Sequence, residues 1–147
     1  MDGRSKASKM AKSIKKKIKY KIKELEIHSD NRGWLVELLK ANQLEKPVKQ
    51  IHIASIKPGC VRGNHYHSKR IEWFFIVAGK AELSLQDIRT KEKICFKLFS
   101  KKPKVITIFP NISHAIKNVG KEMVYLVSAQ SDIYNPQKPD AFRWEVQ

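Results

Sequence analysis

The sequence predicts an all-β domain, an antiparallel sandwich or barrel, and three observations carry that expectation. Short runs of alternating apolar and polar residues recur between residues 48 and 130. Turn residues separate them about every eight to twelve positions, as in strands joined by hairpins. No segment has the glycine spacing of a Rossmann or P-loop phosphate site, so an α/β nucleotide-binding domain is disfavoured.

The chain has 147 residues, enough for one domain with its own core and too few for two. Its net charge is +16, and residues 1–23 alone hold ten basic residues and one acid. In that stretch Ile14, Ile18 and Ile22 recur every four residues, as on a helix, while Ile18, Tyr20 and Ile22 also alternate with lysines, as in a strand. Residues 1–22 therefore read as a basic, flexible tail with some helical character, leading into a single domain over 23–147. A solubilising role is expected for the tail. Contact with nucleic acid or an anionic membrane surface is the alternative.

"SDNRGW" (Ser29 to Trp34) reads as a turn, with Asp30, Asn31 and Gly33 suited to tight backbone geometry. "WLVELLKANQ" follows as a strand or mixed segment. "KPVKQIHIASIKPG" alternates at Val48, Ile51 and Ile53 with one irregularity and ends in the Pro58-Gly59 turn. "EWFFIVAG" is an apolar, aromatic run closed by Gly79. "KAELSLQD" sets Ala81, Leu83 and Leu85 on one face. "KICFKLFS" and "KVITIFP" repeat the pattern around the basic turn "KKPK", and "EMVYLVSAQ" is the last strong strand. "IYNPQKPDAFRWEV", with its prolines, reads as an extended arm docked on the domain.

Cys60 and Cys95 form no CxxC pair, so neither a zinc knuckle nor a dithiol redox site is indicated, and two reduced thiols are expected. No apolar run reaches the roughly 18 residues of a membrane span. These features read as a soluble, cytoplasmic protein. Outside the tail the charge is moderately basic, which suits anionic ligands such as sugar phosphates or nucleotides.

"RGNHYHSKRIEWF" (Arg62 to Phe74) concentrates the chemistry. In a strand His65 and His67 face the same side, with Cα atoms about 6 to 7 Å apart. Two imidazoles so placed can converge on one ion with bonds of about 2.1 Å. Glu72 opens the next strand, and a hairpin would bring it alongside. His114, after Pro110 in another candidate strand, can complete a three-histidine, one-glutamate set suited to one Zn, Fe, Mn or Ni ion. His28 and His52, in plain polar or alternating contexts, are read without a special role.

Gly59, His65, His67, Glu72 and Gly79 stand at spacings that resemble the first motif of the cupin family. The second motif runs Gly, Pro-x-Gly, His, Asn. "KVITIFPNISHAIKN" resembles it at Pro110, His114 and Asn118 and departs from it at both glycines, where Lys104 and Ile112 stand. The resemblance implies a cupin double-stranded β-helix, or jelly-roll barrel. "SDNRGWLVELL", "VRGNHYH" and "LQDIR" narrow it to the RmlC-like cupins, the sugar-nucleotide 3,5-epimerases and 3,4-ketoisomerases. "IYNPQKPDAF" resembles the end of the metal-bearing cupin domains fused to capsular-sugar reductases.

The chemistry this implies is an isomerisation or epimerisation of a nucleotide-linked keto sugar in surface-polysaccharide synthesis. A proton is abstracted next to the carbonyl. By position His65 matches the base, with His67 as a second base, an orienting group or a ligand. A metal or a tyrosine hydroxyl, Tyr66 or Tyr125, would stabilise the enolate. Arg62, and more weakly Lys69 and Arg89, would bind the diphosphate, and Asn64 lies among the same substrate-binding candidates. A metal at His65, His67, Glu72 and His114 competes with a free base for the same lone pairs, and both options stand. The alternatives are a metal-dependent cupin enzyme of another class, such as a dioxygenase or small-acid isomerase, or a non-catalytic sugar- or anion-binding cupin. A homodimer is also implied.

Overall fold

The computed structural model describes residues 18–147, so the expectations for residues 1–17, including contacts made by the tail, lie outside the described residues. In chain order the strands are β1 (Tyr20–Glu24), β2 (His28–Asp30), β3 (Gly33–Leu35), β4 (Gln50–Ile56), β5 (Val61–Tyr66) and β6 (Glu72–Ala78). There follow β7 (Lys80–Asp87), β8 (Lys93–Phe99), β9 (Lys104–Ile108), β10 (Ile112–Asn118), β11 (Val124–Gln130) and β12 (Phe142–Arg143). Two five-stranded antiparallel sheets, ordered β1-β9-β6-β11-β4 and β12-β5-β10-β7-β8, make the jelly roll. β2 and β3 form a separate hairpin. Among the described residues no helix is long and apolar enough to cross a membrane.

Alternation explains the core. Ile56, Phe74, Ile76, Ile106, Ile108 and Leu126 of the first sheet meet Ala81, Leu83, Leu85, Leu98, Ile112 and Ile116 of the second. The opposite face of the first sheet is also partly buried: Trp73, Val105 and Ala129 lie under Leu39, Leu44 and Val48. This is why "WLVELLKANQ" is mostly not strand. After β3 the chain crosses that face and turns through a short 3-10 segment, Ala41–Gln43.

One boundary differs from the sequence reading. Tyr20–Ile22 belongs to the sheet rather than to the tail, since β1 pairs with β9, and Ile18 is buried beside it. The second motif lacks its glycine, and Asn111 takes the left-handed conformation there instead (φ 65). Its amide donates to His67 O at 2.7 Å, which ties the turn before β10 to the end of β5. Asn118 donates to Ile56 O (2.8 Å) and Glu122 O (2.7 Å), a structural lock between sheets.

The arm after β11 docks as expected. β12 pairs with β5, Trp144 Nε1 donates to Gln86 Oε1 at 3.0 Å, and Val146 is buried.

Candidate metal centre and active site

A bulge in β5 builds one wall of the site. His65 pairs with His114, Gly63 with Ala115 and Arg62 with Ile116, so Asn64 is the extra residue. Strict alternation would turn Arg62 outward with Asn64 and Tyr66. The bulge instead gives Arg62 the facing of Ile116 and His114, into the barrel. Only glycine fits at position 63: φ is +100°, and a Cβ there would lie 2.5 Å from His114 O.

Glu72 opens β6 on the inward parity of Phe74 and Ile76, and His114 sits between Ile112 and Ile116 on β10. The ring centroids of His65 lie 5.0 Å from His67 and 4.8 Å from His114, and those of His67 and His114 are 5.4 Å apart. One ring nitrogen from each of the three histidines falls within 4.8 Å of the others. Glu72 Oε1 is 3.0 Å from His67 Nε2, and Oε2 is 3.0 Å from His114 Nε2.

The far side of two rings sets their tautomers. His67 Nδ1 faces Asp140 O, and His114 Nδ1 faces Ile112 O at 3.1 Å. Carbonyl oxygens only accept, so each Nδ1 carries a proton, and in the neutral ring each Nε2 presents a lone pair. Those lone pairs meet the Glu72 carboxylate, and His67 Nε2, His114 Nε2 and Glu72 Oε2 are buried without a hydrogen bond. Electron-rich atoms in this arrangement need a proton or a cation among them. The set of three imidazoles and one carboxylate fits a divalent transition metal or zinc.

Burial pushes the Glu72 carboxyl pKa up, but with a proton between the groups the hydrogen bonds and charge of the His114 and His67 side chains prevail and hold it well below the usual carboxylate range. His65 is half-buried. Burial, followed by the nearby His114 and His67, pushes its pKa down to about 4, so its lone pair is free at neutral pH.

Around these four lies a shell that the sequence reading did not assign. Arg70 is 5 % exposed, and its Nη1 donates to Gln130 Oε1 at 2.7 Å. Gln130 Nε2 reaches Glu72 Oε1 (3.2 Å) and His52 Nδ1 (3.3 Å). Asp140 organises the loop that follows the histidines. Its Oδ1 accepts from Ser68 N and Oγ, both at 2.7 Å, and its Oδ2 accepts from Lys69 N (3.0 Å) and Arg70 N (3.3 Å).

Of the sequence candidates, the structure brings His65, His67, Glu72 and His114 together; Arg62, exposed on β5, donates its Nε to Ser55 O of β4 at 2.8 Å, level with Tyr125. The structure does not bring the others to the histidines. Tyr125 points to the outer face, opposite the buried Leu126, and is 45 % exposed at the other end of β11 from Gln130. Asn64 accepts from Val146 N (2.8 Å) and Gln147 N (3.0 Å), and Tyr66 stacks on Phe142 at 5.2 Å, so both hold the docked arm. Arg89 lies in the turn after β7, 3.6 Å from Asp87 Oδ2. Lys69 lines a separate cavity of about 400 Å³ with Lys138 and Phe142. A larger cavity, about 790 Å³ and lined by Lys80, Phe99, Lys102 and Lys121, lies at the opposite end of β6 from Glu72.

Comparison with known proteins agrees with this architecture. The chain is 28 % identical over 125 residues to the UDP-2-acetamido-2,6-beta-L-arabino-hexul-4-ose reductase of Pseudomonas aeruginosa; the match covers 84 % of this chain and 32 % of that protein. The chain thus spans about a third of the reductase's length. It is 27 % identical over 129 residues to the spore coat polysaccharide biosynthesis protein SpsL of Bacillus subtilis, covering 84 % of this chain and 85 % of SpsL. The crystal structure of a 3,4-ketoisomerase from Helicobacter canadensis superposes with a TM-score of 0.74 at 25 % identity, covering 86 % of this chain and 92 % of that one. The family model for the polysaccharide biosynthesis C-terminal domain matches residues 28–142, and this chain belongs to that family.

Proposed function

We propose that the protein isomerises or epimerises a nucleotide-linked keto sugar in polysaccharide synthesis, by proton removal next to the carbonyl. The observation that carries this reading is the convergence of His65, His67 and His114 on Glu72 inside the barrel, with Arg62 three residues before His65 on the same strand. His65, His67, His114 and Glu72 are the residues that would hold a divalent ion. When bound, such an ion supplies positive charge against the oxygen of an enolate.

The chain's own groups do the rest. Asp140 O and Ile112 O fix the His67 and His114 tautomers. Gln130 holds the Glu72 carboxylate from one side by donating to its Oε1. Arg62, exposed on β5, suits a diphosphate through its fork of donors. Relatives named for hexulose reduction and for 3,4-ketoisomerisation support a keto-sugar substrate.

Incubation with nucleotide-linked 4-keto sugars in deuterated water tests the reading. Deuterium should enter at a carbon flanking the carbonyl, as read by NMR. No incorporation from any such sugar overturns it.

A homodimer fits the exposed apolar face of the unpaired edge strand β4, where Ile51 is 63 % and Ile53 71 % exposed. Light scattering should give twice the 17.0 kDa chain mass, and a monomer at micromolar concentration would refute it.

A further inference from the structure

β4 presents its apolar side to the outside and its polar side to the barrel. His52 pairs with Ser128 of β11, and Ser128 pairs with Phe74, a residue of the inner core. Residues paired across a sheet share a face, so His52 points into the barrel with Phe74 and Ser128. It is nevertheless exposed, because β4 is the edge of its sheet and the barrel opens there. Further along β4, Ser55, three residues away and level with Tyr125, binds Arg62. Beside His52 the Ser128 hydroxyl is buried with no partner.

The tautomer of His52 follows from its neighbours. Arg70 is a donor only, so the Gln130 oxygen must face it. The Gln130 amide nitrogen then faces Glu72, which only accepts, and His52 Nδ1. Two partners, Arg70 and Glu72, agree on one amide orientation. His52 Nδ1 must accept, and the proton of the neutral ring sits on Nε2, on the other side of the ring from Gln130 and toward the mouth.

Resting on the metal-centre reading above, we propose that His52 is the substrate-facing imidazole of this barrel and a catalytic residue. It donates its Nε2–H to the carbonyl oxygen of the bound keto sugar, where negative charge grows as the neighbouring C–H proton leaves. Gln130 is its positioning residue, and the buried Arg70 fixes Gln130. Three histidines committed to an ion have no lone pair left for substrate, and His52 is the imidazole that faces the same space without being one of them. The C–H proton leaves to a water or hydroxide at the site and a proton returns from solvent, while the neutral imidazole stabilises the enolate through its N–H without taking that proton up.

Two measurements on the full chain test this. In deuterium exchange with a nucleotide-linked 4-keto sugar, His52→Phe should lower the rate about 100-fold, the loss typical of one removed oxyanion donor. Affinity for the metal alone (Zn²⁺, by competition with a chromophoric chelator) should stay within about twofold of wild type, and His52→Gln, which restores an N–H donor, should recover part of the rate. Exchange by His52→Phe at the wild-type rate overturns the assignment, as does a parallel loss of metal affinity, which would mark a structural role. Nitrogen-15 NMR of the histidine rings should show His52 protonated at Nε2 in the wild type and mixed in Gln130→Leu. A His52 ring protonated at Nδ1 in the wild type overturns the proposal by itself. If the wild type takes up no deuterium from any keto sugar, the proposed function fails and the catalytic role falls with it, while the NMR result still decides whether Gln130 sets the ring.

Discussion

Asp140→Ala should destabilise the domain and loosen the metal centre together. One carboxylate closes the loop after the histidines with four hydrogen bonds, from the Ser68 amide and hydroxyl and from the Lys69 and Arg70 amides. Each bond to an ionised group contributes about 1.5 to 3 kcal/mol when buried. Ser68 and Lys69 are exposed, so water replaces most of what they lose, while the Arg70 amide lies in a buried residue and is left unpaired. The net cost should be about 2 kcal/mol.

The pH dependence carries the same signature. Burial pushes the Asp140 pKa up, but the Ser68, Lys69 and Arg70 donors prevail and hold it below the usual aspartate range. A depressed carboxylate binds fewer protons folded than unfolded, so its stabilisation is present above the ordinary aspartate pKa and is lost as pH falls through the folded value. Urea unfolding at pH 7 should show the drop in midpoint for Asp140→Ala, and the gap between mutant and wild type should narrow near pH 3. A change under about 0.5 kcal/mol at pH 7, or a gap that does not narrow in acid, would refute the reasoning.

Other outcomes follow from the same geometry. Gly63→Ala forces a Cβ to within 2.5 Å of His114 O at a positive φ, so β5 must shift; metal affinity should fall at least tenfold, as read by chelator competition. Tyr125→Phe should leave deuterium exchange within about twofold of wild type, because the side chain stands on the outer face. After dialysis against a chelator, the protein should lose stability in thermal melts as pH falls from 6.5 towards 4. His65 binds its proton less readily folded than unfolded, so the unfolded state takes up more protons across that window. A flat melting temperature over that range would contradict it.

Where the interior is apolar, alternation in the sequence marks the strand and its faces correctly, as in "KAELSLQD", while "EWFFIVAG" is a continuous apolar run because both faces of its strand are buried. The motif residues His65, His67, Glu72 and His114 were legible for a related reason, since fixed spacings on paired strands leave few places for the side chains to go. β4 shows where the rule inverts. Its inward residues are Gln50, His52 and Ala54 down to Ile56, because the barrel is wet and polar at that end, so the apolar Ile51 and Ile53 advertise the wrong face. His52 was passed over on that account. Strict parity also hid the facing of Arg62, since a bulge at Asn64 carries no signal beyond a Gly-Asn pair. Asn64 and Tyr66 looked like substrate contacts because the arm that covers them comes from some 80 residues further along the chain. Arg70, Gln130 and Asp140 have no local pattern at all. Their positions follow from which strands end beside one another.

Four side chains, His65 of β5, His67 at the start of the β5–β6 loop, Glu72 of β6 and His114 of β10, are placed to enclose one metal ion. Anomalous diffraction from crystals of tag-free protein, recorded across the Mn, Fe, Ni and Zn edges, tests it most directly. The account expects one peak enclosed by ring nitrogens of His65, His67 and His114 and the Glu72 carboxylate, absent from Glu72→Ala. No anomalous density there, even in crystals grown with excess of each metal, would contradict it.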